Sequence, residues 1–268
     1  MLTSDFFTPP QPSSIRFGFR FGDKGTQTSR TIMFSELQSL LEAVPGSRDR
    51  RDYEHSVLED NCLGKQTLST RTLSLQRLSE LYALDPSVPL FRIMLSLWEI
   101  NKESRPQLAL LLALARDPLL RLSAAPIINT AVGKEFARQD MTDALTEGTG
   151  SRFNDSTLDK IVRNASSSWT QSGHLKGRAR KFRQLIRATP TSAAYAFFLG
   201  FLQGIRGSYL FSCPWIKVLD LDELEARERA DDAKRLGLLD IKQSGSLIDI
   251  SFPQLLTELD KELLHGTD

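Results

Sequence analysis

The chain has 268 residues, 40% of them hydrophobic, which is enough apolar material for a proper core and too much for global disorder. Lys and Arg number 34 against 33 Asp and Glu, a formal net charge of +1, so the overall balance by itself points to no polyanionic partner. Two cysteines, Cys62 and Cys213, lie outside any CxxC pair; they exclude a disulfide framework and a cysteine-based zinc site and fit a reducing compartment.

The start, MLTSDFFTPPQPSS, has no basic region followed by an apolar run, so no signal peptide is expected. SIRFGFRFGDKG then alternates as a short strand would, with Phe17, Phe19 and Phe21 on one face, and residues 1–27 are expected to form an arm or edge strand. TIMFSELQSLLEAVPG spaces Met33, Leu37, Leu40, Leu41 and Val44 at helical intervals and stops at Pro45 and Gly46. After the charged loop SRDRRD, YEHSVLEDNCL predicts a second helix closed by Gly64. KQTLSTRTLSLQRLSELYAL predicts a third, ended by Asp85 and Pro86. Helix, Gly-containing turn and helix together predict a helix-turn-helix.

That third helix has two faces. Leu68, Leu75, Leu78 and Tyr82 recur at a period near 3.6 and are expected to be buried. Lys65 precedes it, and Ser69, Thr70, Leu73, Gln76 and Arg77 fall on the opposite side. Hydroxyls suit phosphates, amide and guanidinium groups suit base edges, and a Leu suits a thymine methyl, which is the chemistry of a recognition helix. The same residues also describe an ordinary solvent face.

VPLFRIMLSLWEINK and RPQLALLLALARDPLLRLSAAP are apolar nearly all round and form the expected hydrophobic centre. The polar run GTGSRFNDS marks a boundary near residue 150, giving an N-terminal helical lobe over 28–150 and a second lobe over 151–268. Residues 155–157 offer N-caps for a helix carrying Leu158, Ile161 and Val162, and Gly173 suits its end. AAYAFFLGFLQG is too short to span a bilayer and is followed by Arg206, so a buried helix and a cytoplasmic protein without membrane contact are expected.

Charge is concentrated in one place. Residues 163–187 hold Arg163, Lys176, Arg178, Arg180, Lys181, Arg183 and Arg187, interleaved with Ser166, Ser167, Ser168, Trp169, Thr170, Gln171 and His174, and no acid. From residue 152 to 187 there are nine basic residues against two acidic ones, followed by the acidic run Asp220, Asp222, Glu223, Glu225, Glu228, Asp231 and Asp232. As a strand, HLKGRAR sends Lys176, Arg178 and Arg180 to one side; as a helix, Lys176, Arg180, Arg183 and Arg187 share a face. Either geometry makes a basic stripe suited to phosphate, although a charge run also serves as a solvated face. The candidate contacts are Arg163, Ser167, Thr170, Gln171, His174, Lys176, Arg178, Arg180, Lys181 and Arg183, with Trp169 open to a core role.

Near the C-terminus, LDELEARERADDAKR predicts a helix capped at Gly237. LLDIK and LIDISF, joined by QSGS, predict a hairpin with Leu239, Ile241, Ile248, Ile250 and Phe252 inward. Helix followed by a two-stranded ribbon is how winged-helix domains finish, with Lys242 and Gln243 at a wing tip; winged helices also serve protein–protein recognition. No enzyme is expected. His55, His174 and His265 are scattered, a Ser167/His174 pair lacks an elbow and an orienting group, GDKGTQTS lacks the Walker spacing, and DLDELE and ADDAKR are acidic helix faces rather than a metal cluster. No cofactor or metal is expected either.

DNCLGKQTLSTRTLSLQRLSELYAL, the apolar helices after it, KIVRNASSSWTQSGHLKGRARKFR and AKRLGLLDIKQSGSLIDISF resemble, in pattern and order, the BrxA family. These are small accessory proteins of bacteriophage-exclusion (BREX) defence islands in bacteria. The resemblance covers the chain from about residue 28 onward. It implies a mainly α, two-lobed protein with helix-turn-helix or winged-helix elements and short β-ribbons, binding double-stranded DNA without catalysis. Its neighbours would be a DNA methyltransferase, a large ATPase and a phosphatase-like protein. By position, residues 65–77 resemble the family's recognition-type helix and residues 166–183 its second polar and basic element; RFGFRFGDKG has no counterpart. Phosphate contacts with little sequence readout are the expected mode, and a winged-helix adaptor that recruits other defence subunits is the alternative.

Overall fold

The structure, a computed structural model, describes residues 11–47, 49–245 and 247–265. It is mainly helical, with two small antiparallel hairpins.

The expected N-terminal strand is instead a helix, α1 (Pro12–Phe17), followed by an extended segment. Pro12 stands at the start of the helix and Gly18, at φ 111, ends it. The Phe pattern does describe burial: Phe17 and Phe19 are buried and Phe21 partly so, with Phe17 against Phe198 and Phe19 between Phe21 and Trp215. The segment after α1 finds side chains, not a strand, for its backbone. Arg116 Nη1 donates to Gly18 O at 2.6 Å, Arg121 Nη2 to Arg20 O at 2.6 Å, and Thr26 N donates to Asp117 Oδ2 at 2.7 Å. Residues 18–26 are thus strapped across the end of the central helices.

α2 (Phe34–Ala43) and α4 (Leu68–Tyr82) follow as their periodicity predicts, whereas α3 (Arg50–Leu58) begins inside the expected charged loop and ends well before Gly64. Asp49 caps α3 and Thr67 caps α4. The connection over residues 59–67 is longer than the three or four residues of a helix-turn-helix. It turns through Asn61 and Gly64, both at positive φ, and Arg71 Nη1 ties it back to Leu58 O at 2.7 Å. Only the second half of α4 is covered: Ser74, Leu78, Leu81 and Tyr82 are buried, whereas Leu68, expected inside, is 62% exposed in the first turn.

α5 (Pro89–Trp98), α6 (Arg105–Arg116), α7 (Pro118–Leu122) and α8 (Ala124–Asn129) supply the expected centre, residues 108–115 of α6 being wholly buried. α9 (Arg138–Thr149) and α10 (Asp155–Gln171) come next, α10 capped by Asn154, one residue earlier than the sequence indicated. A hairpin of β1 (Leu175–Lys176) and β2 (Phe182–Arg183) leads to α11 (Pro190–Leu202), α12 (Pro214–Val218) and α13 (Glu223–Arg235). Thr189 with Ser192, and Asp222 with Glu225, form capping boxes on α11 and α13. β3 (Asp240–Ser244) pairs with β4 (Leu247–Ser251), Ile241 opposite Ile250, and α14 (Glu258–His265) closes the described chain.

Leu239, Ile250 and Phe252 are buried and Ile241 and Ile248 partly so, as their alternation requires. α11 is buried through most of its length, and among the described residues no helix is long and apolar enough to cross a membrane. The buried apolar side chains form one contiguous cluster running from Phe17 to Leu255, drawn from both sides of residue 150.

Arg121 is the hub of the N-terminal strap. Besides Arg20 O it donates to Leu114 O and Ala115 O, and burial pushes its guanidinium down to about 10 against the pull of the nearby Asp117 charge. Arg121→Ala leaves these carbonyls without that donor and is expected to cost about 3 kcal/mol in a urea melt. A loss below about 0.5 kcal/mol would show that the strap contributes little to stability.

Candidate nucleic-acid interface

The 163–187 stretch forms two elements. Its first part is the end of α10, where Arg163, Ser167 and Thr170, spaced four and three residues apart, line one face. Its second part is the β1–β2 hairpin, paired Leu175 with Arg183 and Lys176 with Phe182. The turn between the strands needs Gly177. Its φ is +124, and a Cβ there would lie 2.0 Å from Arg180 O.

Residues 133–136 line the other edge of β2. Glu135 bridges Phe182, Phe136 N donates to Lys181 O at 2.8 Å, and Arg183 N donates to Lys134 O at 2.9 Å. The stretch is thus a short ladder of three segments, neither the long strand nor the helix the sequence left open.

Three cations on this ladder, Lys134, Lys176 and Arg178, are exposed and carry no ion pair among the described residues. Arg180 pairs with Glu135, a contact that raises the guanidinium and lowers the carboxyl. Lys181, pushed down by partial burial, donates to Thr170 Oγ1 at 2.8 Å, so it joins the α10 face to the hairpin. Arg163 shares Asp159 with Arg138. Lys181 therefore links the Arg163, Ser167 and Thr170 face of α10 to the hairpin that carries Lys176, Arg178 and Arg180, and the segment paired with that hairpin carries Lys134.

Three expected contacts lie elsewhere. Gln171 accepts from Phe34 N at 2.9 Å and donates to Thr31 Oγ1 at 2.9 Å, fixing the start of α2. Arg183 is 1% exposed. Its Nη2 pairs with Asp220 and its Nε donates to Ile127 O at 3.0 Å, so it is an interior group, held by a pairing with residue 220 that no local pattern reveals.

His174 is fully buried. Nε2 lies 2.7 Å from Val218 O and must carry the proton, which leaves Nδ1 to accept from Ser172 Oγ at 2.9 Å. Its bonded hydroxyl is Ser172, not Ser167. Trp169 is core: its indole donates to Ser123 Oγ at 2.7 Å and meets the His174 ring edge-on.

The α4 face is largely neutralised. Lys65 pairs with Glu36 at 3.1 Å, Arg77 with Glu80 at 2.7 Å, and Gln76 donates to Glu80 at 3.1 Å. Ser69 and Gln76 are exposed, and Thr70 contacts the Thr67 cap. The 3-10 turn Thr26–Thr28 packs against both α4 and α10. On the second hairpin, Lys242 and Gln243 are exposed.

Sequence inspection missed Lys134 and Glu135, since only the cross-chain pairing with β2 brings them here. Among the described residues no group of three His, Cys, Asp or Glu side chains stands close enough to hold a metal. The chain matches no protein-family model, and no curated protein matches it significantly.

Two predictions follow the interior pair and the buried histidine. Asp220→Ala strands the Arg183 charge and is expected to cost about 3–5 kcal/mol, while Arg183→Met with Asp220→Leu recovers most of it, both by chemical denaturation. Equal losses in the single and double variants would contradict this. Burial, helped by the Arg183 charge, pushes His174 down to about 3 against its bonds to Val218 and Ser172. The unfolded chain takes up a proton below about 6.5 that the folded chain refuses until about 3. Stability is therefore lost as pH falls through that window, by about 1.4 kcal/mol per unit. His174→Gln is expected to flatten that slope between pH 6 and 4; an unchanged difference between the proteins across this range would contradict it.

Proposed function

We propose that this protein binds double-stranded DNA, without catalysis, as a cytoplasmic component of a bacterial anti-phage defence system of the BREX type. The observation that carries this reading is the basic ladder: Lys134, Lys176 and Arg178 exposed and free of acids, continuous through Lys181 with the Arg163, Ser167 and Thr170 face of α10. Arg180 and Arg163 already extend to surface carboxylates. Exposed pairs of this kind are worth about 0–1 kcal/mol, so a phosphate can take the carboxylate's place at little cost. The resemblance to BrxA and the order of α13 and the β3–β4 ribbon, which is that of a winged-helix end, support the same reading.

Sequence readout is expected to be slight. Of the side chains able to make bidentate base contacts, Gln171 and Arg77 are committed to other groups of the protein, and Gln76 is shared with Glu80. A second reading, an adaptor for the methyltransferase, ATPase or phosphatase-like protein, is favoured by α13. There Leu224 is 68% exposed beside the exposed Glu223, Glu225, Glu228 and Asp231, and Leu236, at the helix C-cap, is 55% exposed.

The test is anisotropy of a labelled random-sequence duplex at several salt concentrations. Five phosphate contacts, from Lys134, Lys176, Arg178, Arg180 and Lys181, predict a log–log slope of about −4.5. Lys176→Glu with Arg178→Glu should abolish binding without lowering the melting temperature. A slope near zero, or full binding by that variant, would move the basic ladder to the adaptor reading.

A further inference from the structure

Strand β2 is turned the wrong way for its hydrophobicity. Phe182 faces solvent at 38% exposure, while its neighbour Arg183 is 1% exposed. A slip of one residue would bury the ring and free the guanidinium, which is the outcome burial of apolar surface favours. The protein instead holds the costlier register. It surrounds Arg183 with Asp220, Ile127 O and Gln184 O, the minimum a buried guanidinium requires to offset its lost hydration. Such local violations of patterning are expected where function demands them.

Phe182 is not a stray exposed ring. Val132, which precedes the Gly133 bonded to Arg183 O, is 54% exposed, and Leu185, two residues beyond Arg183, is 68% exposed. The Arg180 guanidinium sits 5.6 Å from the centre of the Phe182 ring. The exposed ring therefore stands beside Arg180 and directly across the ladder from Lys176, at a turn that also carries Arg178 and is fixed by Gly177. A solvated basic face has no need of the ring, and an apolar docking patch has no need of so many cations. A DNA step flanked by phosphates satisfies both.

We propose that Phe182 is an apolar wedge that enters the minor groove and unstacks a base step while Lys176, Arg178 and Arg180 hold the phosphates, with the exposed Leu185 just beyond β2 adding apolar contact. The wedge rests on the DNA-binding reading above. It makes the protein one that bends its duplex, by roughly 20–90° toward the major groove. Flexible TA and CA/TG steps should be favoured over A-tracts, because the cost of unstacking is lower there.

The experiment is fluorescence energy transfer between the two ends of a 30-base-pair duplex with a central TA step, titrated with the full chain at low salt. Wild type is expected to raise transfer on binding. Phe182→Ala with Leu185→Ala is expected to bind with the wild-type salt slope and leave transfer at the level of free DNA. Leu185→Ala alone, at a site 68% exposed, serves as the variant that cannot fail by unfolding and should lower transfer partially. Binding by wild type with no change in transfer overturns the wedge and leaves the DNA reading standing, as does equal bending by the double variant. No binding by wild type at low salt overturns both and leaves an acidic protein surface as the partner of this patch.

Discussion

The pairing of Arg183 with Asp220 is the interaction on which the candidate surface depends. Asp220 sits just beyond α12 with φ 56, a left-handed conformation that Asp tolerates better than most residues. One of its oxygens takes the guanidinium and the other accepts from Ile186 N at 2.8 Å, so a single carboxylate fixes both the inner side of β2 and the chain leaving it. Two residues earlier, Val218 O accepts a hydrogen bond from His174 Nε2. The base of the hairpin is thus bolted to α12 at two points, and Arg183 Nε adds a third at the end of α8. A two-residue pair of strands has little stability of its own. Its geometry is borrowed from these buried polar bonds, and the cations around the turn are displayed on a frame rather than on a loose loop.

The +1 net charge conceals a division of labour among the cations. Arg116, Arg121 and Arg183 are structural, donating to backbone carbonyls or to the half-buried Asp220; burial pushes the first two down to about 10, only partly offset for Arg121 by the Asp117 charge. Lys65, Arg77, Arg163 and Arg180 are held by surface acids within salt-bridge distance. Lys134, Lys176 and Arg178 carry no ion pair among the described residues. Only the last two groups can meet a ligand; of the second group, Arg180 sits on the same hairpin as Lys176 and Arg178, and Arg163 lies on the α10 face that Lys181 ties to it. The α4 face lacks that continuity, which is why the hairpin and α10, rather than the expected recognition helix, carry the functional reading.

Local signals made most of the helices legible. α2, α4 and α10 follow from the spacing of their apolar residues, α13 from its run up to the Gly237 stop, and the inward residues of β3 and β4 from alternation; the caps Thr67 and Asn154 place the starts of α4 and α10 later and earlier, respectively, than the sequence indicates. What failed was every inference that needed a distant partner. Phe17, Phe19 and Phe21 alternate, but the carbonyls between them are answered by Arg116 and Arg121, about a hundred residues away, so no strand is required. Gln171 and His174 look like exposed polar groups of a basic stretch, yet their partners are Phe34 and Val218. Leu68 matches a buried stripe that the fold does not cover as far as the first turn. Polar residues in the interior are invisible to patterning because what keeps them there is a bond across the chain, not their own hydropathy.

The central claim is that DNA lies along the hairpin and α10. Hydrogen exchange of the protein with and without a 20-base-pair duplex tests it most directly. Protection gained over residues 133–136 and 160–187, with little change in α13, is the result predicted. Protection confined to α13 or to the β3–β4 hairpin, or no change at saturating duplex, would contradict it.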